Sequence, residues 1–154
     1  MTHWGAYWKF FGREDEPWPV NHWRIGAGSR LAKAEPGDRL WLFTSGQRCR
    51  LPEMPGQKLG YLVEIMEIGS VGNDSADERF ALLIKGRPDR CVAVRPGLLV
   101  DEFMRPAKSD RQAPIGSLWQ GARKLSEQAV SGMIEKLRQE RPVAFEKFFR
   151  NAGD

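Results

Sequence analysis

Short apolar stretches alternate with polar segments rich in glycine and proline through the first hundred residues of the chain. In residues 59–71, apolar side chains at every second position alternate with a mixed set, which is typical of a strand with one buried face. At residues 36–38 the turn PGD leads directly into the apolar run LWLF at 40–43, as expected where a core strand begins. We therefore predict that Trp41, between two leucines, lies in the core.

The same pattern predicts further strands on both sides of this pair. Residues 3–11 are rich in aromatic side chains and favour a first strand. Residues 79–86 and 90–97 are predicted as two strands joined by the turn Gly86-Arg87-Pro88-Asp89. Residues 98–105 contain a short apolar run that fits either a strand or a helix.

Helical spacing of apolar residues appears towards the C-terminus. Ser126 precedes residues 127–140, where this spacing is clear, so we expect a capped helix there. A proline in the first turn favours a second helix over residues 142–150, with its phenylalanines facing the barrel. Earlier in the chain, residues 22–34 are predicted as a short helix or an irregular turn, with Ser29 as the candidate cap.

These elements predict an α+β fold that is mainly β, in which five to six short strands form a curled sheet or pseudo-barrel and C-terminal helices pack on it. The 154 residues are enough for a single domain, 1–154, with its own core. The N-terminus lacks the pattern of a signal peptide, and no window approaches the roughly 20 apolar residues of a membrane span. We therefore expect a cytoplasmic protein without a membrane partner.

The formal net charge of +4 is unevenly distributed. Residues 1–104 carry 14 Lys and Arg against 14 Asp and Glu, whereas residues 105–154 carry 10 against 6. A basic excess in one part of a chain indicates an anionic partner, for which nucleic acid is the commonest choice. A solvated helical surface is the alternative explanation of the same excess.

The two cysteines, Cys49 and Cys91, are far apart in sequence, and neither belongs to a C-x-x-C pair. We expect reduced, structural thiols and neither a metal nor a cofactor. A zinc site combining both cysteines with His3 and His22 is an alternative whose spacings match no zinc-ligand pattern.

The sequence carries no recognisable catalytic motif. G-x-S-x-G, H-E-x-x-H and the Walker loop are absent, and GAGSRLAK lacks the Lys-Ser/Thr ending of a phosphate-binding loop. The two histidines sit in no acid-base pattern. Asp101 and Glu102 are candidate metal ligands for phosphodiester chemistry, but adjacent carboxylates point apart on a strand. We therefore expect a protein that is not an enzyme.

The order of these elements, with the residues in them, resembles the EVE domain of the PUA-like superfamily. The resemblance covers roughly residues 4–140. It is carried by the aromatic first strand, by Trp23-Arg24 and by three stretches: EPGDRLWLFTSG, GYLVEIMEI and SLWQGARKLSEQAV. One position departs from the family pattern, because Thr44 stands where many EVE domains have a histidine.

This resemblance implies a PUA-like pseudo-barrel that reads nucleic acid, DNA or RNA, by taking up a nucleobase flipped from its stack, often a modified one. Such a reader needs a flat apolar surface and hydrogen-bonding groups for the base edge. The residues that we predict for this base-binding pocket are Trp8, Trp18, Asn21, Trp23, Phe43, Thr44, Ser45 and Trp119. Residues 21–35 would form one wall, with Trp23 as the stacking platform. Tryptophans that merely fill a barrel end are the structural alternative.

The flanking phosphates require cations. A guanidinium forks onto phosphate oxygens, whereas a lysine acts as a point charge. We predict phosphate contacts from four residues, which would otherwise be ordinary surface cations: Arg24, Arg30, Arg123 and Lys124.

Three hypotheses on function follow from the sequence. The first is a non-catalytic module that binds a nucleobase. The second is a PUA-like enzyme that processes RNA or DNA, for which His22 and Asp101 are the residues to test. The third is a small-molecule or protein-interaction domain that shares only the barrel, because a fold alone does not define a function.

Overall fold

A computed structural model describes residues 1–12, 17–26, 28–46, 58–73, 82–105, 113–119 and 121–149. The strands of this part are β1 His3–Tyr7, β2 His22–Ile25, β3 Arg39–Ser45, β4 Gly60–Asn73, β5 Leu82–Leu99 and β6 Arg123–Lys124. The α-helices are α1 Asp101–Met104, α2 Ile115–Leu118, α3 Glu127–Glu140 and α4 Pro142–Phe149. A 3-10 turn, Arg30–Lys33, lies between β2 and β3.

The six strands form one curled sheet, a partial barrel, in the order β2-β5-β4-β3-β1-β6. The pairing of β1 with β3 is parallel, and the other neighbours are antiparallel. The expectation of a mainly β, α+β fold with five to six strands and C-terminal helices is confirmed at this level.

Both faces of the sheet are covered, and β3 shows this most clearly. All seven of its residues are buried. Leu40 and Leu42 face a core that the curled sheet closes around, whereas Trp41 and Phe43 face a second core shared with the helices. The prediction that Trp41 is a core residue is confirmed.

The hairpin of β4 and β5 differs from the predicted short strands. Residues 86–89 do not reverse the chain: Gly86 pairs with Ile68 and Cys91 with Met66, so both halves of β5 follow the same partner strand. The extra residues are taken up as a bulge opposite Glu67, to which Arg87 forms an ion pair of 2.9 Å. The predicted turn is therefore wrong, and the two predicted strands are one.

Residues 22–34 also differ from the prediction in part. His22–Ile25 is a strand because all four of its residues pair with β5. Ser29 caps the following 3-10 turn as expected, its side chain accepting a hydrogen bond from the Leu31 amide at 3.2 Å. Tertiary pairing therefore overrides the local preference only in the first part of the segment.

The turn that leads into β3 holds a buried carboxylate, Asp38. Gly37 adopts φ +93°, which favours glycine. The Asp38 carboxylate accepts hydrogen bonds from the Thr2 amide at 2.9 Å, the Trp4 indole at 3.0 Å and the Glu35 amide at 3.0 Å. Burial opposes its ionisation, but these donors and the N-terminal ammonium hold the pKa of Asp38 below its usual range. This Asp38 turn fastens β1 to β3.

The two C-terminal helices form as predicted. The Ser126 side chain accepts a hydrogen bond from the Ala129 amide and caps α3. Phe148 of α4 is fully buried, and Phe145 and Phe149 pack against the same core. Within the described ranges, no helix has the length and apolar character needed to cross a membrane.

Candidate functional site

Two adjoining cavities form an open groove between the segment that follows β2 and the segment that precedes β6. The smaller, of about 250 Å³, is here called the apolar compartment. The larger, of about 550 Å³, is called the arginine compartment. Both are lined by Ser29, Gly121 and Ala122, so they are parts of one groove.

Trp23 and Tyr7 provide the aromatic side chains of the apolar compartment. Trp23 is placed by the pairing of β2 with β5, and its ring meets the edge of Trp8 at a centroid distance of 6.0 Å and an angle of 81°. Trp23 is only partly buried, so it lies between the aromatic core and the cavity. It can therefore offer ring surface to a ligand.

Tyr7 is held by a hydrogen bond and by close packing. Its hydroxyl donates to Ser45 Oγ at 2.9 Å. A Cβ placed on Gly116 would lie 2.8 Å from the Tyr7 Oη atom, so only glycine leaves the tyrosine undisturbed there. The tyrosine ring is therefore fixed at the cavity wall before any ligand arrives.

Arg30 and Arg123 line the arginine compartment from opposite ends of the sequence. The Arg123 guanidinium lies over the Trp119 ring at 4.2 Å, and its Nη2 donates to the Leu118 carbonyl at 2.7 Å. Burial, and then the charge of Arg30, lower the pKa of Arg123 below its ordinary value. The two cations are thus close enough to repel each other.

Arg24 lines the apolar compartment and is held by a neighbouring histidine. The His22 ring has Nδ1 at 2.9 Å from the Val20 carbonyl and Nε2 at 3.1 Å from Arg24 Nη1. Because a carbonyl only accepts, Nδ1 carries the proton and Nε2 accepts from the arginine. His22 therefore acts as a positioning residue for Arg24.

Five of the predicted pocket residues lie in the interior and not on the groove. Phe43 and Thr44 are fully buried, and Ser45, Trp8 and Trp119 are nearly so. Thr44 Oγ1 donates to the Trp8 carbonyl at 2.9 Å, and the Trp119 indole donates to the Met104 carbonyl at 2.8 Å. Ser45 and Trp119 still contribute indirectly, because they hold Tyr7 and Arg123.

Three other predicted residues lie outside the lining of the two cavities. Trp18 packs edge-on against Phe11 at 4.8 Å, under the Arg95 guanidinium at 4.3 Å. Asn21 adopts φ 65° and shapes the turn before β2. Lys124, next to Arg123 on β6, lies 5.6 Å from the centroid of the Trp4 ring. The structure therefore brings together Trp23, Arg24, Arg30 and Arg123 from the predicted set.

Tyr7 and the small residues of the groove were not predicted as site residues. Tyr7 belongs to a strand whose aromatic residues all resemble core positions in sequence. The glycines that line the groove, Gly26, Gly28 and Gly121, let a ligand approach the backbone closely. The sequence signal for them is the glycine-broken basic stretch ahead of β3 and the pair Gly121-Ala122 ahead of β6.

The residues considered for metal or acid-base chemistry have structural partners. The Asp101 carboxylate accepts from the Gly60 amide at 2.8 Å and pairs with Arg105 at 2.6 Å. His3 Nδ1 accepts from the Trp41 indole at 3.1 Å. Among the described residues, no three His, Cys, Asp or Glu side chains are grouped so as to hold a metal ion.

Cys91 is an unreactive thiol in this setting. Its burial, and then the carboxylates of Glu64, Asp89 and Glu67, raise its pKa to about 12. Its Sγ lies 3.1 Å from the Arg87 carbonyl. Cys49, the other member of the alternative zinc set, lies outside the described residues.

No family model and no curated protein match the chain. Among solved structures, the chain is similar to protein Atu2648 from Agrobacterium tumefaciens. The identity is 14%, the TM-score is 0.47, and the match covers 90% of this chain and 92% of that one. The resemblance to the EVE domain therefore remains a prediction from the sequence.

Proposed function

We propose that this chain is a PUA-like, EVE-type module that binds nucleic acid and holds one unstacked base, modified or unmodified, in the apolar compartment. Trp23 and Tyr7 provide the aromatic surface, and Arg24, Arg30 and Arg123 contact phosphates. The observation that carries the proposal is that an aromatic compartment adjoins a cationic one in a single groove.

The size and lining of the apolar compartment support a base as its occupant. Cavities that hold whole small-molecule ligands usually measure about 300–1,000 Å³. The apolar compartment, of about 250 Å³, lies just below this range, which suits a single ring system with the rest of the ligand in the adjoining compartment. Stacking on an aromatic side chain contributes about 1–3 kcal/mol per base, and every base has a face that can stack.

The charge of the groove supports an anionic strand as the partner. Three arginines line the two compartments, and none of their described lining residues is acidic. Guanidinium groups bind phosphate oxygens through two parallel hydrogen bonds, which fixes the strand as well as attracting it. We propose that the module is non-catalytic and that these aromatic and cationic contacts serve to position a strand.

The test is a titration of the protein with short single-stranded and duplex DNA and RNA, with intrinsic tryptophan fluorescence as the signal. The oligonucleotides carry ordinary or modified cytosine or adenine at one position, and each is measured at low and at high salt. We expect saturable quenching that depends on one base and persists at high salt, because stacking is not screened.

Two tryptophan variants make the test specific to the groove. Trp23→Ala should weaken binding by about 1–3 kcal/mol if the ring stacks on a base. Because this change removes the fluorophore that a stacked base would quench, the affinities of the variants are measured by fluorescence anisotropy of a labelled oligonucleotide. Trp18→Ala removes an indole from the same aromatic cluster but not from the cavity lining, so it is the matched control. Circular dichroism and thermal unfolding confirm that each variant is folded. Equal affinities of folded Trp23→Ala and the parent protein would reject Trp23 as the platform.

The alternative functions predict different results in the same assay. Binding that disappears at high salt for every oligonucleotide would leave only a basic surface. Absence of binding to all of them would favour a small-molecule or protein partner. Cleavage or modification of a bound oligonucleotide, monitored by electrophoresis and mass spectrometry, would contradict the non-catalytic assignment.

A further inference from the structure

We propose that the arginine compartment binds a terminal phosphate monoester, so that the protein recognises the end of a nucleic-acid strand and not its interior. That the ligand is a nucleic-acid strand with a bound base rests on the proposed function. The phosphate site is inferred from Arg30 and Arg123.

The two arginines reach one cavity from unrelated parts of the fold. Arg30 begins the 3-10 turn that follows β2, and Arg123 lies on β6, at the opposite edge of the sheet. Both line the arginine compartment together with Gly28 and Gly121. The glycines have no side chain to keep a ligand from the backbone, so an anion can come close to both guanidinium groups.

Arg123 is oriented before a ligand arrives. It lies over Trp119 at 4.2 Å and donates from Nη2 to the Leu118 carbonyl. Among the described residues, the Leu118 carbonyl is the single hydrogen-bond acceptor of this guanidinium. The N–H groups at Nε and Nη1 can therefore donate to an anion. The binding geometry therefore needs little reorganisation, which favours affinity.

The repulsion between the two cations is relieved by an anion that touches both. Both guanidinium groups line one cavity. Burial is the larger cause of the lowered pKa of Arg123, and the neighbouring charge of Arg30 lowers it further. No described residue that lines the compartment carries a negative charge. A bound anion therefore supplies the compensation that the described lining residues do not provide.

The charge of the ligand decides between a strand end and a strand interior. A phosphate monoester carries about −1.5 to −2 charges at pH 7 and offers three terminal oxygens. An internal phosphodiester carries one negative charge and offers two such oxygens. Two guanidinium groups in one cavity match the monoester in both charge and number of acceptors.

The experiment compares oligonucleotides that differ only at one end: 5′-phosphate, 3′-phosphate or hydroxyl at both. Fluorescence titration at constant ionic strength should show about tenfold tighter binding of one phosphorylated form. Arg30→Gln should abolish this preference, so that phosphorylated and hydroxyl-ended strands bind with about equal affinity. Arg138→Gln removes a positive charge from α3 at a position outside the lining of the groove, and should leave the preference unchanged.

Two further measurements keep the test valid if a variant folds poorly. Arg123→Lys retains the charge but loses the forked geometry, and should reduce the preference without abolishing it. With unmodified protein, the preference should shrink between pH 7.5 and pH 5.5, because the second ionisation of a monoester has a pKa of about 6. A preference that does not change with pH would contradict recognition of the dianion.

Inorganic phosphate and a nucleoside monophosphate separate this inference from the proposed function. If hydroxyl-ended and phosphorylated strands bind equally, and Trp23→Ala weakens both, the monoester site is rejected and base recognition stands. If inorganic phosphate binds in an Arg30-dependent way and Trp23→Ala has no effect on any ligand, the phosphate site stands and base recognition is rejected. Binding of none of these ligands rejects both.

Discussion

The Asp38 turn and the arginine compartment differ in whether neighbouring groups of the protein compensate their charges. At the turn, one buried carboxylate receives three hydrogen bonds from Thr2, Trp4 and Glu35. In the compartment, Arg30 and Arg123 face the same cavity without a described anion among its lining residues. The carboxylate is thus compensated by protein donors, whereas no described lining residue compensates the two arginines.

This difference separates a residue that stabilises the fold from residues that are available to a ligand. A compensated buried charge fixes local geometry, and its removal leaves donors without acceptors. Uncompensated like charges at a cavity slightly lower the stability of the free protein. An anion that binds between them raises the stability of the folded state. The same residue type can therefore have either role, and the partner atoms decide which.

The largest effect is expected from Asp38→Asn. The amide presents hydrogen atoms where the carboxylate presented an oxygen, so at least one buried donor faces another donor. The free energy of unfolding in urea should fall by about 2–4 kcal/mol. Asp89→Asn, at an exposed position, is the matched control and should stay within about 0.5 kcal/mol. A similar, small change in both variants would show that the turn does not stabilise the fold.

As the pH is lowered, the free energy of unfolding should fall in two stages, the first due to His3 and the second to Asp38. Burial, then the charges of Arg39 and the N-terminus, lower the pKa of His3, with Asp38 acting in the opposite direction. The unfolded chain therefore binds a proton first, and stability should fall as pH drops below the ordinary histidine value of 6.5. Asp38 contributes stability above its ordinary pKa of 3.8, and this is lost as pH falls through its lower folded value.

Urea unfolding at successive pH values tests this order. In His3→Asn, an amide oxygen replaces Nδ1 as acceptor for the Trp41 indole, so the first stage should disappear while the second remains. A first stage that persists unchanged in this variant would assign it to another group.

A smaller effect is expected from Tyr7→Phe at the boundary of the groove. Loss of the hydrogen bond to Ser45 should lower the free energy of unfolding by about 1 kcal/mol. The freed ring should also weaken the base-dependent part of binding, measured by the fluorescence titration described above. Unchanged binding in a destabilised variant would give Tyr7 a purely structural role.

The smallest effect on stability is expected from Arg30→Gln. Because removal of one charge relieves the repulsion with Arg123, the free protein should be unchanged or stabilised by up to about 0.5 kcal/mol. Denaturation without ligand measures this. A fall of more than 1 kcal/mol in the free energy of unfolding would show that Arg30, like Asp38, stabilises the fold.

Local signals in the sequence predicted several parts of the fold well. The PGD turn ahead of β3 and the Ser126 cap of α3 are short-range features whose side chains act on the nearby backbone. The turn at residues 86–89 was predicted wrongly for the same reason. Glycine and proline there have turn chemistry, but ion pairing with Glu67 and continued pairing to β4 keep the chain extended.

The candidate site was predictable only as separate residues. Arg30 and Arg123 were both named from the sequence, but their meeting in one cavity depends on the sheet order. Trp23 and Trp119 were indistinguishable in sequence, although one lines the groove and the other is buried beneath Arg123. Residue type predicts what a side chain can do, and tertiary packing decides whether a ligand reaches it.

The position of β1 in the sheet has a consequence for synthesis of the protein on the ribosome. His3–Tyr7 leaves the exit tunnel before the other strands that the structure describes, yet it lies between β3 and β6 in the sheet. Its pairing with Arg123 and Lys124 cannot form until the ribosome has made β6. Such long-range contacts slow folding, so the sheet is completed only after translation of the groove's last arginine.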